Sequence, residues 1–412
     1  SLSRAELARA SFKGARLAHV AFPAANLRGA DLTGADVEGA LFLKADLRGA
    51  ALPKAFRKTS FAEAILCDRD APESPPTGAM VVELEGVAFD GCDLGKTNLR
   101  AANLRAARFE RCLLGRADLR EADVTGATFA RCELSGANLA GVDLTGHTLT
   151  MNVLAGADLS GAKLAGAVLL RCALKGANLS GADLTRASLE QVVMGKARLD
   201  GAILTKTSFR RVDFSEMDLT LVPLAGLSLP QCGFRKANLA GANLSGCDVT
   251  MSHFGEADLR RAKLEGAVLE KANFKGAQLD VADLSRAHAK GAFFGEASLR
   301  GAKLAKATLR FSTFTRAELG HANLSGADAS ESMFVEAKAE GAIFVGAKLV
   351  FSDLSNADLT GADFTEADLT RADLHNVRDK DVRWSGASVA TAKRTDLDRL
   401  EAEGWTAPSA PR

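Results

Sequence analysis

Cysteine and histidine are the side chains of this sequence that could bind a metal ion or act as nucleophiles. Seven cysteines and six histidines occur among the 412 residues. Zinc needs thiolates or imidazoles that surround it tetrahedrally. Five cysteines instead recur at multiples of 20 residues, and they would form one straight column if residues 20 apart stack on one face. Ligands in a column cannot surround an ion, so we expect no metal site and interpret the thiols as buried packing groups. These cysteines are Cys92, Cys112, Cys132, Cys172 and Cys232.

No other group of residues suggests catalysis or cofactor binding. Asp recurs just before Leu because turns favour Asp and Asn, and this is not the pattern of a pair of carboxylates placed for acid–base work. The sequence has neither a glycine-rich phosphate loop nor a nucleophile elbow. We therefore predict a protein that is not an enzyme, without cofactor or small-molecule substrate. The histidines share no spacing: they are His19, His147, His253, His288, His321 and His375.

A five-residue period determines how all these side chains are placed. From Val82 to Asn376 there are 59 consecutive pentapeptides, whose central residue is Leu or Phe in 53 cases and whose residue two before the centre is Ala in 37. Two apolar positions in every five fit neither helical spacing nor strict strand alternation. A fixed short period is typical of a solenoid, in which each unit packs only against its neighbours.

The repeats themselves resemble a known family. Segments such as Ala182-Asp183-Leu184-Thr185-Arg186 and Ala357-Asp358-Leu359-Thr360-Gly361 follow the pattern A-[DN]-L-x-x, which is similar to that of the pentapeptide repeat family. The resemblance implies an all-β fold, a right-handed quadrilateral β-helix with four pentapeptides per coil and with the centre and the residue two before it pointing inward. Four repeats per coil give about 18 coils.

Interruptions of the period predict the organisation of the chain. We expect N-terminal coils over 1–66. Within them the frame slips after Leu52, and Phe61 and Leu66 continue the repeat in a new register. A Pro-rich surface loop is expected over 67–81. The main solenoid is predicted over 82–376, and a cap and tail over 377–412. The segment Thr395–Glu401 has the character of a short capped helix, which would cover the apolar end of the solenoid.

A second, longer period supports the four-sided coil independently, because the five-residue rule does not require it. Phenylalanines at intervals of four pentapeptides would form a ladder of rings inside one face, and serines later take the place of the cysteines. His147 is expected to point inward beside Asn152 as a satisfied buried pair. The phenylalanines of this column are Phe214, Phe234, Phe254, Phe274, Phe294, Phe314 and Phe334.

Charge and composition restrict the function. Lys and Arg total 52 against 51 Asp and Glu, a net charge of +1, and both signs occur on every predicted face. Some members of the resembling family protect DNA gyrase by imitating the negative charge of duplex DNA, which would need a sustained acidic surface. Direct nucleic-acid binding and a membrane span are not expected. An odd number of cysteines suits a reducing cytosol, so we predict a cytoplasmic protein.

Two irregular features are candidates for contact with a protein partner. One is a corner column of long side chains, two residues after the centres of one face. Arg371 stands further along it, and most of its gaps are filled by Met151, Gln191, Gln231, Met251, Phe311 and Phe351. Such a ridge could hold a partner, or its side chains could simply cover the corner. The other is a coil with large inward residues, which could be a bend, a recognition feature or ordinary drift of the repeat. The ridge comprises Arg111, Arg131, Arg171, Arg211 and Lys271, and the irregular coil comprises Thr207, Val212, Met217, Val222 and Leu227.

The function that fits these observations is a protein-interaction scaffold or rigid spacer whose partner the sequence does not identify. The array is long, rich in Ala and Arg and interrupted by a short loop. In these respects it also resembles the C-terminal repeat regions of multidomain proteins associated with bacterial type VI secretion. A chain that begins with Ser1 instead of Met fits a piece of such a protein. The alternative is a DNA-mimicking protein that protects gyrase or another topoisomerase.

Overall fold

The computed structural model describes residues 1–66 and 84–404. The predicted Pro-rich loop and the end of the tail lie outside these described residues. The chain divides into two compact units, Ser1–Met217 and Asp218–Arg412, and both are built from the same kind of coil.

Each ordinary coil consists of four pentapeptides and pairs in parallel with the next. In the first unit Asp183 pairs with Ile203, and in the second Asp258 pairs with Gln278. One face of the first unit has the longest pairing, an eight-stranded parallel sheet in sequential order, in which Phe109 lies opposite Phe129. The predicted all-β solenoid is confirmed. The strands are β1 (Ala55–Arg57), β2 (Ala88–Asp90), β3 (Arg108–Glu110), β4 (Thr128–Ala130), β5 (Thr148–Thr150), β6 (Val168–Leu170), β7 (Ser188–Glu190) and β8 (Ser208–Arg210).

The apolar period forms the core of both units. Every repeat centre from Leu84 to Leu374 is buried, because the coil turns each centre inward. Six phenylalanines of the predicted column, Phe234 to Phe334, stack with ring centroids 4.6–4.9 Å apart. Phe214, in the first unit, is buried edge-on against Phe209 at 5.3 Å. Close stacking of buried rings leaves little empty space inside the coils.

The corners of the coil require a left-handed backbone. The residue two after each centre has a positive φ at nearly every corner, as at Gly161 (φ +62°) and Arg171 (φ +54°). Glycine adopts this conformation without the steric cost that a Cβ introduces, which explains its frequency there. Leu221 stands at such a position but is not among the residues with positive φ, and its side chain is 86% exposed.

Side chains just outside the core close the turns. The carboxylate of Asp183 accepts the backbone N–H of Thr185 at 2.9 Å, and the amide oxygen of Asn178 accepts that of Ser180 at 3.2 Å. An oxygen two residues before the donor is the geometry of an Asx turn. The recurrent Asp and Asn of the repeat are therefore turn residues, as the sequence indicates.

Polar side chains that point inward follow one hydrogen-bonding pattern. Most of them bond to the carbonyl oxygen of a repeat centre in the preceding coil. The hydroxyl of Ser252 donates to Leu229 O at 2.7 Å, and the thiol of Cys132 approaches Phe109 O at 3.3 Å. A buried donor with a partner costs far less than one without, so Cys, Ser and Thr can replace the usual Ala.

Two coils near the N-terminus depart from the length of four pentapeptides. Leu41 pairs with Ser60, where an ordinary coil would bring Phe61, and Ser60 pairs with Asp93. The frame slip that the sequence shows after Leu52 is therefore a coil one residue short, and Phe56 is a further buried centre that the pattern did not reveal. Residues 67–83, which the structure does not describe, lie in the sequence between Ser60 and Asp93.

A last coil and a helix complete the second unit. Parallel pairing continues to Lys393, and helix α1 runs over Leu397–Gly404, as the capped segment predicts. Asp396 is its N-cap, because its carboxylate accepts the N–H of Asp398 at 3.0 Å and of Arg399 at 3.1 Å. No helix in the described part of the chain is long and apolar enough to cross a membrane.

Candidate functional site

The predicted arginine ridge lies at the ends of the strands in the first unit. Arg111, Arg131, Arg171 and Arg211 directly follow β3, β4, β6 and β8. All four have φ of 54–55° and are exposed at the corner. We refer to these four residues, with Met151 and Gln191 between them, as the arginine corner. Lys271, the fifth predicted residue of the ridge, belongs to the second unit and has the same conformation (φ 54°).

The turn of the arginine corner differs from the other turns. At an ordinary corner the inward residue donates its N–H back to the preceding centre, as Ala137 does to Leu134 O at 2.9 Å. In the described part of the chain no such bond joins Cys112 to Phe109 or Cys172 to Leu169. The absence of this bond lets the strand extend by one residue before the chain turns, so the arginines stand at the end of a regular sheet.

Acidic residues of the preceding coil neutralise part of this corner. The guanidinium of Arg111 donates to Asp90 at 2.5 and 3.1 Å, and that of Arg131 donates to Glu110 at 3.2 Å. The hydrogen bond from Arg111 and the attraction of Asp90 raise the pKa of the Arg111 guanidinium. Asp90 and Glu110 each stand just before a corner of the preceding coil, so the charges of Arg111 and Arg131 are partly neutralised within the solenoid.

The remaining members form a polar and apolar mixture. Arg171 Nε donates to the side-chain oxygen of Gln191 at 2.9 Å, and both belong to the same corner. Met151 is exposed in the same column. The column beside the corner adds further apolar side chains, since Leu113, Val153 and Val193 are exposed by 51%, 37% and 43%. The corner therefore offers planar hydrogen-bond donors next to an apolar strip, which is the composition of many protein interfaces.

The predicted irregular coil is part of the core. Thr207, Val212 and Met217 are buried in the first unit, and Val222 and Leu227 are buried in the second. The hydroxyl of Thr207 donates to Leu184 O at 2.7 Å. These larger side chains fill inward positions, as the five-residue period predicts. Because they are buried, they cannot contact a partner directly.

The cysteine column and the histidines do not assemble a reactive site. The five predicted cysteines and Cys247 are buried. Burial raises the pKa of the Cys172 thiol, and it raises the pKa of the Cys247 thiol to about 11. A raised pKa disfavours the thiolate, which is the nucleophilic form. Among the described residues no three His, Cys, Asp or Glu side chains are grouped as metal ligands would be.

The expected pair of His147 and Asn152 does not form. His147 Nε2 lies 2.9 Å from Val124 O, and Asn152 bonds to Phe129 O and to the N–H of Cys132, each at 2.8 Å. Each side chain satisfies a different backbone group because the two occupy different faces of the coil.

Two features of the site were missed in the sequence. The acidic partners Asp90 and Glu110 occupy the position just before a corner of the preceding coil. Leu113, Val153 and Val193 occupy the position just before a centre of the next face. Both become visible when the sequence is aligned in rows of four pentapeptides, since the column Leu113, Val153 and Val193 then contrasts with the Asp and Asn common at this position.

Two family descriptions match the chain. "Pentapeptide repeats" matches in eight segments, one over 22–56 and seven overlapping ones between 153 and 378. "Pentapeptide repeat region" matches 81–139. No curated protein matches closely enough to count as a relative.

Several solved structures are similar over parts of the chain. A trypsin-treated form of QnrB1, a plasmid-mediated fluoroquinolone resistance protein, is 23% identical and matches 49% of this chain and 98% of its own, with a TM-score of 0.30. HetL, which is involved in heterocyst differentiation regulation in the cyanobacterium Nostoc sp. strain PCC 7120, is 27% identical over 57% of this chain and 91% of its own, with a TM-score of 0.20. At TM-scores this low the likenesses carry no information on partners.

Proposed function

Because this chain belongs to the pentapeptide repeat family, we propose that it is a non-enzymatic scaffold or rigid spacer that binds a protein through its arginine corner. The observation that carries the proposal is the composition of that corner. Arginines held at the ends of a regular sheet stand beside the exposed apolar strip of Leu113, Val153 and Val193.

The geometry of the corner favours a protein partner over a small ligand. The side chains project from successive coils of a parallel sheet, so they are spaced at about 4.8 Å along one line. A line of this kind matches an extended surface, whereas small molecules need a concave pocket. Exposed arginine with Leu, Val and Met is also a mixture that suits the apolar centre of an interface.

Pairing with Asp90 and Glu110 changes the expected energetics. Exposed ion pairs contribute little to the stability of a fold, so Arg111 and Arg131 can exchange these carboxylates for those of a partner at little cost. Their planar guanidinium groups suit bidentate contact with carboxylates. We therefore expect a partner with an acidic surface and a binding constant that falls as salt screens the charges.

The cellular setting follows from the same proposal. We place the protein in the bacterial cytoplasm, as the repeat region of a protein associated with type VI secretion. The Ala- and Arg-rich composition of the repeats supports this placement. A DNA-mimicking role at gyrase has less support, since the net charge of +1 gives no sustained acidic surface.

The test compares partner capture from bacterial lysate by the wild type and by an Arg111→Glu/Arg171→Glu variant. A matched control is Arg116→Glu/Arg186→Glu, which reverses two charges at other corners with the same backbone conformation (φ 57° and 59°). We expect the first variant to lose the partner and the control to keep it. Equal capture by both variants would exclude the arginine corner, and capture of gyrase subunits would favour the alternative.

A further inference from the structure

The second unit carries a row of exposed large apolar side chains that the arginine corner does not include. Phe293, Phe311, Met333 and Phe351 are 37%, 46%, 46% and 54% exposed. They occur in four consecutive coils and alternate between the corner position and the residue before the next centre. The four side chains, which we call the aromatic row, thus lie along one corner of the second unit.

The aromatic row is unfavourable for the isolated fold. Phe311 and Phe351 have φ of 59° and 58°, a conformation that bulky residues rarely adopt and that glycine adopts freely. Since nearly every corner of the coil has this conformation, what sets these two positions apart is the exposed ring, which neither the core nor the turn requires. Phe293 is accommodated by Gly295, where an added Cβ would come within 2.5 Å of the ring. Glycine therefore leaves the space that this ring occupies.

Cations border the row at Phe311. The guanidinium carbon of Arg310 lies 5.4 Å from the ring centroid and Lys290 Nζ lies 5.7 Å from it. Both distances are those of cation–π contacts. Arg310 also donates to Glu331 at 2.8 Å, so its charge is partly neutralised within the second unit.

The same arrangement recurs two coils later. The guanidinium carbon of Arg371 lies 5.4 Å from the centroid of Phe351. In the part of the chain that the structure describes, neither Arg371 nor Lys290 makes an ion pair. A positive charge thus stands beside each of the two exposed rings at the corner position, and a partner with carboxylates in those two places would complement it.

We propose that the aromatic row is a docking site for an amphipathic α-helix of a partner protein that carries acidic residues beside its apolar stripe. Successive coils are about 4.8 Å apart, and successive turns of an α-helix are about 5.4 Å apart. A helix that lies along the corner therefore places one apolar residue per turn on each coil. Its carboxylates then face Lys290 and Arg371. Phe311, Phe351 and Arg371 continue the corner column of the predicted ridge, but the row lies in the second unit and also includes Phe293 and Met333 of the neighbouring column.

The test uses a labelled synthetic helical peptide with Leu in every turn and Glu flanking the stripe, and measures binding to the full chain by fluorescence anisotropy. Phe311→Gly/Phe351→Gly is the informative variant, because glycine suits the positive φ and the fold should be kept. Val281→Gly is its matched control, an exposed apolar corner residue with φ 59° on another column. We expect the double variant to bind about tenfold or more weakly and the control to bind as the wild type does.

Three further results would contradict the proposal. A peptide with Lys in place of Glu that binds equally well would remove the role of Lys290 and Arg371. Binding of anionic phospholipid vesicles that requires Phe311 and Phe351, without binding of the acidic peptide, would indicate a membrane surface. Self-association that the double variant abolishes, without peptide binding, would identify a second copy of this chain as the occupant.

Discussion

The side-chain oxygen of Asn152 accepts the backbone N–H of Cys132 at 2.8 Å and so replaces a turn hydrogen bond that the backbone makes at other corners. The same amide donates to Phe129 O at 2.8 Å. One buried side chain thus satisfies two backbone groups of the preceding coil, next to the arginine corner.

Asn152→Ala should lower the free energy of unfolding by about 2 kcal/mol, because it leaves a buried donor and acceptor without partners. Asn152→Cys is the matched control, since cysteine occupies this position in neighbouring coils and its thiol can reach the same carbonyl. Urea titration would measure both variants. Equal losses would mean that the thiol does not restore the bond to Phe129 O.

Phe274→Ala should cost about 3–5 kcal/mol, because it removes a fully buried ring that stacks on Phe254 at 4.7 Å and on Phe294 at 4.9 Å. Phe351→Ala should cost far less, since its ring is exposed and its backbone strained. Chemical denaturation of the two variants gives the comparison. A loss below about 1 kcal/mol for Phe274→Ala would contradict its place in the core.

Gly161→Ala should destabilise the protein by about 1 kcal/mol. Gly161 has φ of +62° and an added Cβ would meet no atom within 4 Å, so the effect is one of backbone conformation alone. Val281→Gly should have the opposite sign, because Val281 adopts φ of 59° despite its branched side chain. Thermal melts would show whether the two changes move the melting temperature in opposite directions.

Acid should destabilise the solenoid as the pH falls below about 4. Hydrogen bonds from Thr125, Thr145 and Thr185 hold the pKa values of Asp123, Asp143 and Asp183 below their usual range. A lowered folded-state pKa adds stability that is complete above the unfolded value of about 3.9 and is lost as the pH falls through the folded-state value.

The triple variant Asp123→Asn/Asp143→Asn/Asp183→Asn tests this dependence. Asparagine keeps the turn acceptor, as Asn178 shows, but does not titrate. The melting temperature of the variant should fall less steeply between about pH 5 and pH 3 than that of the wild type. Parallel curves would assign the acid sensitivity to other carboxylates.

The sequence predicted the fold because one residue pattern is repeated at every level of the structure. Leu and Phe at the centres define the inside, Asp and Asn before them define the turns, and the regular interval of the phenylalanine column defines the coil. Phe56 escaped prediction because it stands in a coil one residue short, where counting by fives fails.

The candidate site was harder to predict because its contacts join residues of successive coils that lie far apart in the sequence. Arg111 stands out as a long side chain at a glycine position, but its carboxylate comes from Asp90 in the previous coil. The positive φ of Phe311 and its contacts with cations depend in the same way on the geometry of the corner. The five-residue pattern shows where a corner occurs but not which side chains meet there.

Pairing of each coil with the next has a mechanical consequence. Within Asp218–Arg412 the hydrogen bonds between coils run along the stacking direction, from each coil to its neighbour. A force applied to the end of the stack therefore acts on the outermost coil before the others. In an optical trap this unit should yield by successive rips, and each rip should release one coil, or roughly 70 Å of extended chain.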